Sequence, residues 1–206
     1  MNLYTEWVFP RMLDWMMAGE PFQTYRQQLL HAAIGDVLEI GFGTGLNLPH
    51  YSDRVQSLTV IDPNPGMQQL AQPRLAQTSL PVTVQQLAGE SLPMADDRFD
   101  TVVSTWTLCS IAGLEQALGE IHRVLKPGGQ FLFIEHGLSE RPEVQRWQRR
   151  LTPVQRVIAD GCHLDRDIAM LVGQWFADLT WERFEAPSFP AIGGTFYRGV
   201  AHKAHP

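Results

Sequence analysis

Apolar residues in this chain come in short runs separated by turn-forming residues, with longer stretches of helical periodicity between them. The runs are Val37-Leu38 with Ile40, Leu58 to Asp62, Val82 to Val84, Phe99 to Thr105 and Phe131 to Ile134. Their length and β-branched content predict buried strands. Leu114, Ala117, Leu118, Ile121 and Leu125 fall on one helical face, and Lys126-Pro127-Gly128-Gly129 ends that helix. Leu46 to about His50 is expected to open the first crossover helix, and Pro63-Asn64-Pro65 to start the next, because proline suits a first turn. Residues 143–179 read as helical, and 181–187 with 195–202 read as a closing antiparallel pair. Strands alternating with helices predict an α/β fold with a parallel sheet covered on both faces.

Before the first strand, residues 1–33 carry Trp7, Val8, Phe9, Met12, Leu13, Trp15, Met16 and Met17, then a break at Gly19-Glu20-Pro21. A second helix is expected to run to about Ala33. These helices either cover the sheet or form a substrate lid, for which Met and Trp make an adaptable apolar wall. The whole chain, 206 residues, fits one domain: a helical cap or lid over 1–33 and a core over 34–206.

Composition narrows the function. The chain is 44% hydrophobic and carries a net charge of −6, which argues against a broad nucleic-acid-binding face. Arg141, Arg146, Arg149 and Arg150 form a local basic stretch, read as a solvated helix face or as a contact for an anionic surface. Cys109 and Cys162 lie in no metal-ligand spacing, so free thiols and no metal site are expected. No apolar run approaches the ~20 residues of a membrane span. The start lacks the basic-then-apolar order of a signal peptide, and a cytoplasmic protein is the expectation.

The candidate chemistry starts at Glu39-Ile40-Gly41-Phe42-Gly43-Thr44-Gly45. Glycines at alternate positions after a buried strand let backbone N–H groups approach a ligand. The dinucleotide fingerprint G-x-G-x-x-G does not fit, since the sixth residue is Leu46 or Leu48 in the two registers. Glu39 lies in an apolar run, where a carboxylate is costly unless partnered. Asp62 ends the second strand about 20 residues past the glycines, where an acid can accept hydrogen bonds from ribose hydroxyls.

Leu38 to Gly45, Ile61-Asp62-Pro63, Gly89-Glu90, Phe99 to Val103 and Arg123 to Gly129 occur in this order. As a set they resemble the class I S-adenosylmethionine (SAM)-dependent methyltransferases. The resemblance implies a Rossmann-like, mostly parallel seven-stranded sheet with a C-terminal antiparallel hairpin. It implies SAM as cofactor, with Glu39, Gly41, Phe42, Gly43 and Gly45 at its methionine portion and Asp62, Pro63 and Met67 around the ribose. Gly89, Glu90, Ser91 and Leu92 would follow the adenine edge, and Thr105 and Trp106 would end the fourth strand beside the cofactor. Phe42 stands where a small residue or Cys is more usual.

Leu108-Cys109-Ser110-Ile111, Glu135-His136, Trp147, Leu151-Thr152-Pro153, Asp160 to Arg166 and Phe9-Pro10 are similar to the mammalian methyltransferase-like alkyl-thiol S-methyltransferases. That likeness implies a small thiol acceptor; the membrane anchor of those enzymes is not carried over. Methyl transfer to a thiol needs alignment, desolvation and a thiolate. His136, at a strand terminus, is the candidate base, with Glu135 as its orienting partner. Asp160 with His163 is a second candidate pair. Cys109 reads as a small wall residue, and Trp106, Thr107, Phe189, Phe196 and Tyr197 as acceptor-pocket walls. N- or O-methylation of a lipid or metabolite, and a non-catalytic binding role, are the competing readings.

Overall fold

The computed structural model describes residues 3–187 and 189–205. Its sheet holds strands β1 (Gly35–Ile40), β2 (Val55–Ile61), β3 (Val82–Gln85), β4 (Phe99–Thr105), β5 (Leu125–His136), β6 (Asp178–Glu185) and β7 (Thr195–His202) in the order β3-β2-β1-β4-β5-β7-β6. β1 to β5 pair in parallel, and β7 runs antiparallel to both β5 and β6. This is the Rossmann-like seven-stranded arrangement with its C-terminal hairpin. Strand order reverses between β1 and β4, which opens a crevice at their C-terminal ends.

The alternation along each strand divides the core. Leu38, Ile40, Val102, Phe131 and Phe133 point to one face, under helices α4 (Leu114–Val124) and α6 (Ile168–Gly173). Val37, Val103, Leu132 and Ile134 point to the other, under α2 (Phe22–Leu30) and α3 (Pro65–Leu75). Every one of these strand residues is at most 1% exposed, as expected of a sheet covered on both faces.

Three local expectations are corrected. The first crossover has no α-helix: Leu48–His50 makes a single 3-10 turn, and Tyr51 returns to extended backbone. Asn47 holds its side chain inward, so this segment is spent on the site rather than on a helix face. The second helix stops at Leu30, short of Ala33. The helical stretch after residue 143 breaks as well. Helix α5 (Pro142–Ile158) ends before Asp160 and Gly161, both at positive φ, and α6 starts only at Ile168, capped by the Asp167 side chain.

The N-terminal segment lies across the mouth of the crevice. A π-helical stretch (Tyr4–Val8) runs into α1 (Phe9–Met17). On one rim Asn64 Nδ2 donates to the Thr5 carbonyl, and Arg74 pairs with Asp14 at 2.9 Å. On the other, the Tyr4 hydroxyl donates to the Ile158 carbonyl of α5. Trp7 and Trp15 point outward, at 47% and 83% exposure.

An aromatic cluster fastens this cap to the core. Phe22, 2% exposed, sits edge-on to Trp106 and Phe189 with centroids 5.1 and 5.3 Å away, and beside Phe196. It joins the cap, the end of β4 and the β6–β7 hairpin. Phe22→Ala should therefore cost about 3–5 kcal/mol in denaturant unfolding. A loss below about 1 kcal/mol would show that the cluster repacks without it.

Candidate functional site

A cavity of about 710 Å³ lies at the crevice, within the usual size of a small-molecule site. Its floor is the turn after β1. Gly41, Gly43 and Gly45 all have positive φ, between 58° and 80°. A Cβ on Gly41 would lie 2.0 Å from the Thr107 hydroxyl, so the backbone packs tightly there. A Cβ on Gly43 would meet nothing closer than 3.9 Å and would project into free space that a ligand can use.

Glu39 does not line this cavity. It is 1% exposed behind the turn, where it accepts from Asn47 Nδ2 at 2.9 Å and from the Tyr51 hydroxyl at 2.7 Å. Burial lifts its pKa to about 7 against the pull of those bonds and of Arg26. Its place is under the cradle, not on the ligand. Gly45 is likewise set back, against Phe42, Leu48 and Ala71.

Asp62 lies at the cavity's side, 7% exposed. Its Oδ2 accepts from Gly43 N and its Oδ1 from Asn64 N, each at 2.8 Å. Each oxygen keeps lone-pair capacity for a further donor. Burial raises its pKa to about 6, opposed by the two backbone donors. Phe42, Pro63, Met67, Gly89, Glu90, Thr105 and Trp106 line the cavity as expected. Ser91 and Leu92 do not: Ser91 is exposed, and Leu92 packs in the core with its N–H on Glu120.

At the far end His136, 7% exposed, closes β5 and lines the cavity. Glu135 does not orient it. Neighbouring strand residues face opposite ways, and the fully buried Glu135 accepts from Ser104 Oγ at 2.8 Å, Thr107 N at 3.0 Å and Cys109 N at 3.4 Å. Burial pushes its carboxyl up to about 7. It shapes the turn after β4, where Trp106 takes a positive φ of 52°. His136 Nδ1 instead faces Cys162 Sγ at 3.7 Å, and Cys162 lies 3.5 Å from Cys109 Sγ.

The two thiols share a hydrogen bond. That bond lowers the pKa of Cys162 and, together with burial, sends that of Cys109 well up. Asp160 lines the cavity, whereas His163 lies off it, 3.9 Å from Asp165, so that candidate pair is not assembled. Phe189, Phe196 and Thr107 are cavity walls. Tyr197, one residue along β7 from Phe196, points to the opposite face, where its hydroxyl donates to the Leu138 carbonyl.

Sequence reading missed Arg26. Its guanidinium lines the cavity, lies 4.9 Å over the Trp106 ring, and donates to Asn47 Oδ1 and the Met17 carbonyl. Desolvation lowers its pKa to about 10. Nothing in the local pattern of α2 marks it. Asn47 and Tyr51 were missed for the same reason, although their closeness to the glycines was visible.

Comparison with known proteins agrees with this geometry. Residues 38–133 match the methyltransferase domain family. The chain belongs to the class I SAM-dependent methyltransferases, with S-adenosylmethionine as cofactor. Human thiol S-methyltransferase TMT1A is 36% identical over 163 residues, 76% of this chain and 60% of that relative. The chain thus spans about three fifths of that relative's length. Phosphatidylethanolamine N-methyltransferase of Cereibacter sphaeroides is 31% identical over 138 residues, 66% of each chain. The YcgJ protein of Bacillus subtilis shares the fold, with a TM-score of 0.69 at 18% identity over 89% of this chain and 98% of its own.

With Asp62 as the expected ribose acceptor, cofactor binding should depend on pH. A carboxylate accepts from ribose hydroxyls more strongly, and at more sites, than its protonated form, so affinity should be full above about pH 6 and fall as pH drops through that value. Calorimetry with S-adenosylhomocysteine should show this slope, and Asp62→Asn should flatten it. Asp62→Ala should weaken binding roughly ten- to hundred-fold. Undiminished binding by the alanine variant would remove Asp62 from the cofactor site.

Proposed function

We propose that this protein methylates a small apolar thiol on sulfur. The observation that carries the reading is the lining beyond the glycine turn. Met12, Leu13, Met16, Phe189 and Phe196 make that part of the cavity apolar, and His136, Cys109 and Cys162 border it too. Bound SAM would supply a methyl group on a sulfonium, already electrophilic. The protein's part is to hold the acceptor in line and to exclude water.

The cofactor residues proposed are the backbone of Gly41 and Gly43, with Phe42 and Met67 in packing contact. Asp62 takes the ribose, and Pro63, Gly89 and Glu90 take the rim. Arg26 is the cationic side chain among the described lining residues, and it suits the carboxylate of the methionine portion. Thr105 and Trp106 set the boundary between the cofactor and acceptor ends.

Among the described residues His136 has no carboxylate partner to orient it as a general base, so activation of the acceptor sulfur is assigned to the cluster it forms with the two cysteines. The likeness to TMT1A, named as a thiol S-methyltransferase, supports the acceptor class. N-methylation of a phospholipid headgroup is the second reading, favoured by the Cereibacter relative. An apolar lining with buried thiols suits a polar amine headgroup less well.

Incubation with labelled SAM and a panel of thiols, amines, phenols and phospholipids tests this. Apolar thiols should accept methyl groups and the matching alcohols should not, because a thiolate forms far more readily near neutral pH. A panel in which every thiol fails and an amine or lipid succeeds would overturn the acceptor class.

The cap is proposed as a lid that closes the acceptor end. Deleting residues 1–18 should lower turnover more than affinity for S-adenosylhomocysteine. Full turnover by a folded, truncated protein would reduce the cap to packing.

A further inference from the structure

Two cysteines and a histidine from three separate elements converge on the cavity wall. His136 ends β5, Cys109 sits in the turn after β4, and Cys162 sits in the loop after α5. One ligand atom from each lies within 4.8 Å of the other two. The Sγ–Sγ separation is 3.5 Å, and His136 Nδ1 lies 3.7 Å from Cys162 Sγ. A tetrahedral zinc ion with bonds of about 2.3 Å to sulfur and about 2.0–2.1 Å to nitrogen has S–S and S–N edges of roughly 3.8 and 3.6 Å. The two edges, 3.5 and 3.7 Å, lie within about 0.3 Å of those figures.

The loops that carry these atoms are fixed. Cys109 N donates to Glu135, His163 N donates to the Cys109 carbonyl at 2.8 Å, and Arg166 donates to the Leu108 carbonyl. Gly161, at a φ of 90°, brings its loop so close that a Cβ there would lie 2.8 Å from the Ser110 carbonyl oxygen. The imidazole is under-satisfied as well: His136 Nε2 is buried without a hydrogen-bond partner. That nitrogen diverges from the Nδ1 edge facing the sulfurs and calls for a partner of its own, such as a buried water, which leaves Nδ1 as the ligand atom.

We infer that Cys109, Cys162 and His136 form a three-ligand site for a zinc-type divalent ion whose fourth position opens into the cavity and takes the acceptor sulfur. The site's role toward the acceptor rests on the thiol reading above; the ion site itself does not. Two cysteines and one histidine with an open position are a catalytic rather than a structural zinc set. This departs from the expectation of no metal site, which came from the spacing of the cysteines and from the absence of a carboxylate cluster in the sequence.

The chemistry balances. On binding, the acceptor thiol gives its proton to cavity water, because a coordinated thiol is deprotonated outright. A lone pair on that sulfur takes the methyl carbon. The carbon's bond to the cofactor sulfonium breaks and its electron pair stays on the cofactor sulfur, leaving neutral S-adenosylhomocysteine. The product thioether carries no charge, binds the ion more weakly and leaves.

Cadmium is the probe, because cadmium–thiolate charge transfer absorbs in the near ultraviolet. The full chain, stripped with chelator, should bind one Cd2+ or Zn2+ per molecule. The band should have the intensity of two thiolates and rise by about half when hexanethiol fills the fourth position. Chelator treatment should lower thiol methylation more than about ten-fold, and zinc should restore it. Cys162→Ser and Cys109→Ser should lose the band while still binding S-adenosylhomocysteine, which shows that they fold; metal content of the wild type serves if they do not.

No stoichiometric band, or full methylation by metal-free protein, would overturn the inference and leave the thiol reading standing. A band that hexanethiol does not change would overturn the open acceptor position. A band that hexanethiol raises, with no thiol methylated, would sustain the site and sink the thiol reading.

Discussion

Glu39 is shut off from solvent, at 1% exposure. Its carboxyl is buried beneath the glycine turn and keeps its place only because Asn47 and Tyr51 donate to it. Asn47 in turn donates to Thr105 Oγ1 and accepts from Arg26, so one buried acid ties β1, the segment after the glycines, the end of β4 and α2. Removing the acid would leave the Asn47 and Tyr51 donors unsatisfied, at a cost of about 1–3 kcal/mol each. Removing the donors would leave a buried carboxyl that burial already holds at about 7. The network stands or falls as a unit, and the crevice is built on it.

Glu135 repeats the device two strands along, on β5. It gathers Ser104 Oγ and two backbone N–H groups of the turn after β4. That turn has to leave the strand sharply, and Trp106 takes a positive φ to do so. A left-handed aromatic residue is strained, by about 1–3 kcal/mol, and persists where its surroundings hold it. Three N–H or hydroxyl donors on Glu135 and the rings of Phe22 and Phe196 around the indole supply that hold. The strain has a consequence at the site. It places the indole under Arg26 and the Cys109 thiol beside Cys162.

How far the sequence could be read follows from where each signal is stored. β4 is legible to the residue because Phe99, Val102 and Val103 supply its buried apolar positions, its remaining residues include β-branched Thr, and Asp96-Asp97 mark the turn before it. The glycine turn and Asp62 at the cavity are legible because backbone approach to a ligand needs glycine at particular positions, and an acid at a strand end needs only its place. The crossover after β1 was misread because Asn47 serves Glu39, a tertiary demand that leaves no periodic trace. The break after α5 was misread because Gly161 docks against the Ser110 carbonyl across the fold. Tyr197 was placed on the wrong face by a single residue, the smallest error that strand alternation allows.

The acceptor end stores its information differently from the cofactor end. A cradle of backbone donors is a local property, fixed by a few neighbouring residues. A pocket for an apolar group needs only shape and the exclusion of water, and any suitably placed Met, Phe or Leu provides them. Those residues come here from α1, α2, the loop before β7 and β7 itself. The thiol–imidazole cluster is the extreme case. Cys109 and Cys162 are 53 residues apart in sequence and 3.5 Å apart in space. No spacing rule reaches across that interval. Only the docking of the loop after α5 onto the turn after β4 brings the sulfurs together, and that docking rests on backbone bonds between the two segments and on the hold of Glu135. The chemistry open to the acceptor is therefore set by the same buried acid that shapes the end of β4, although that acid never touches the cavity.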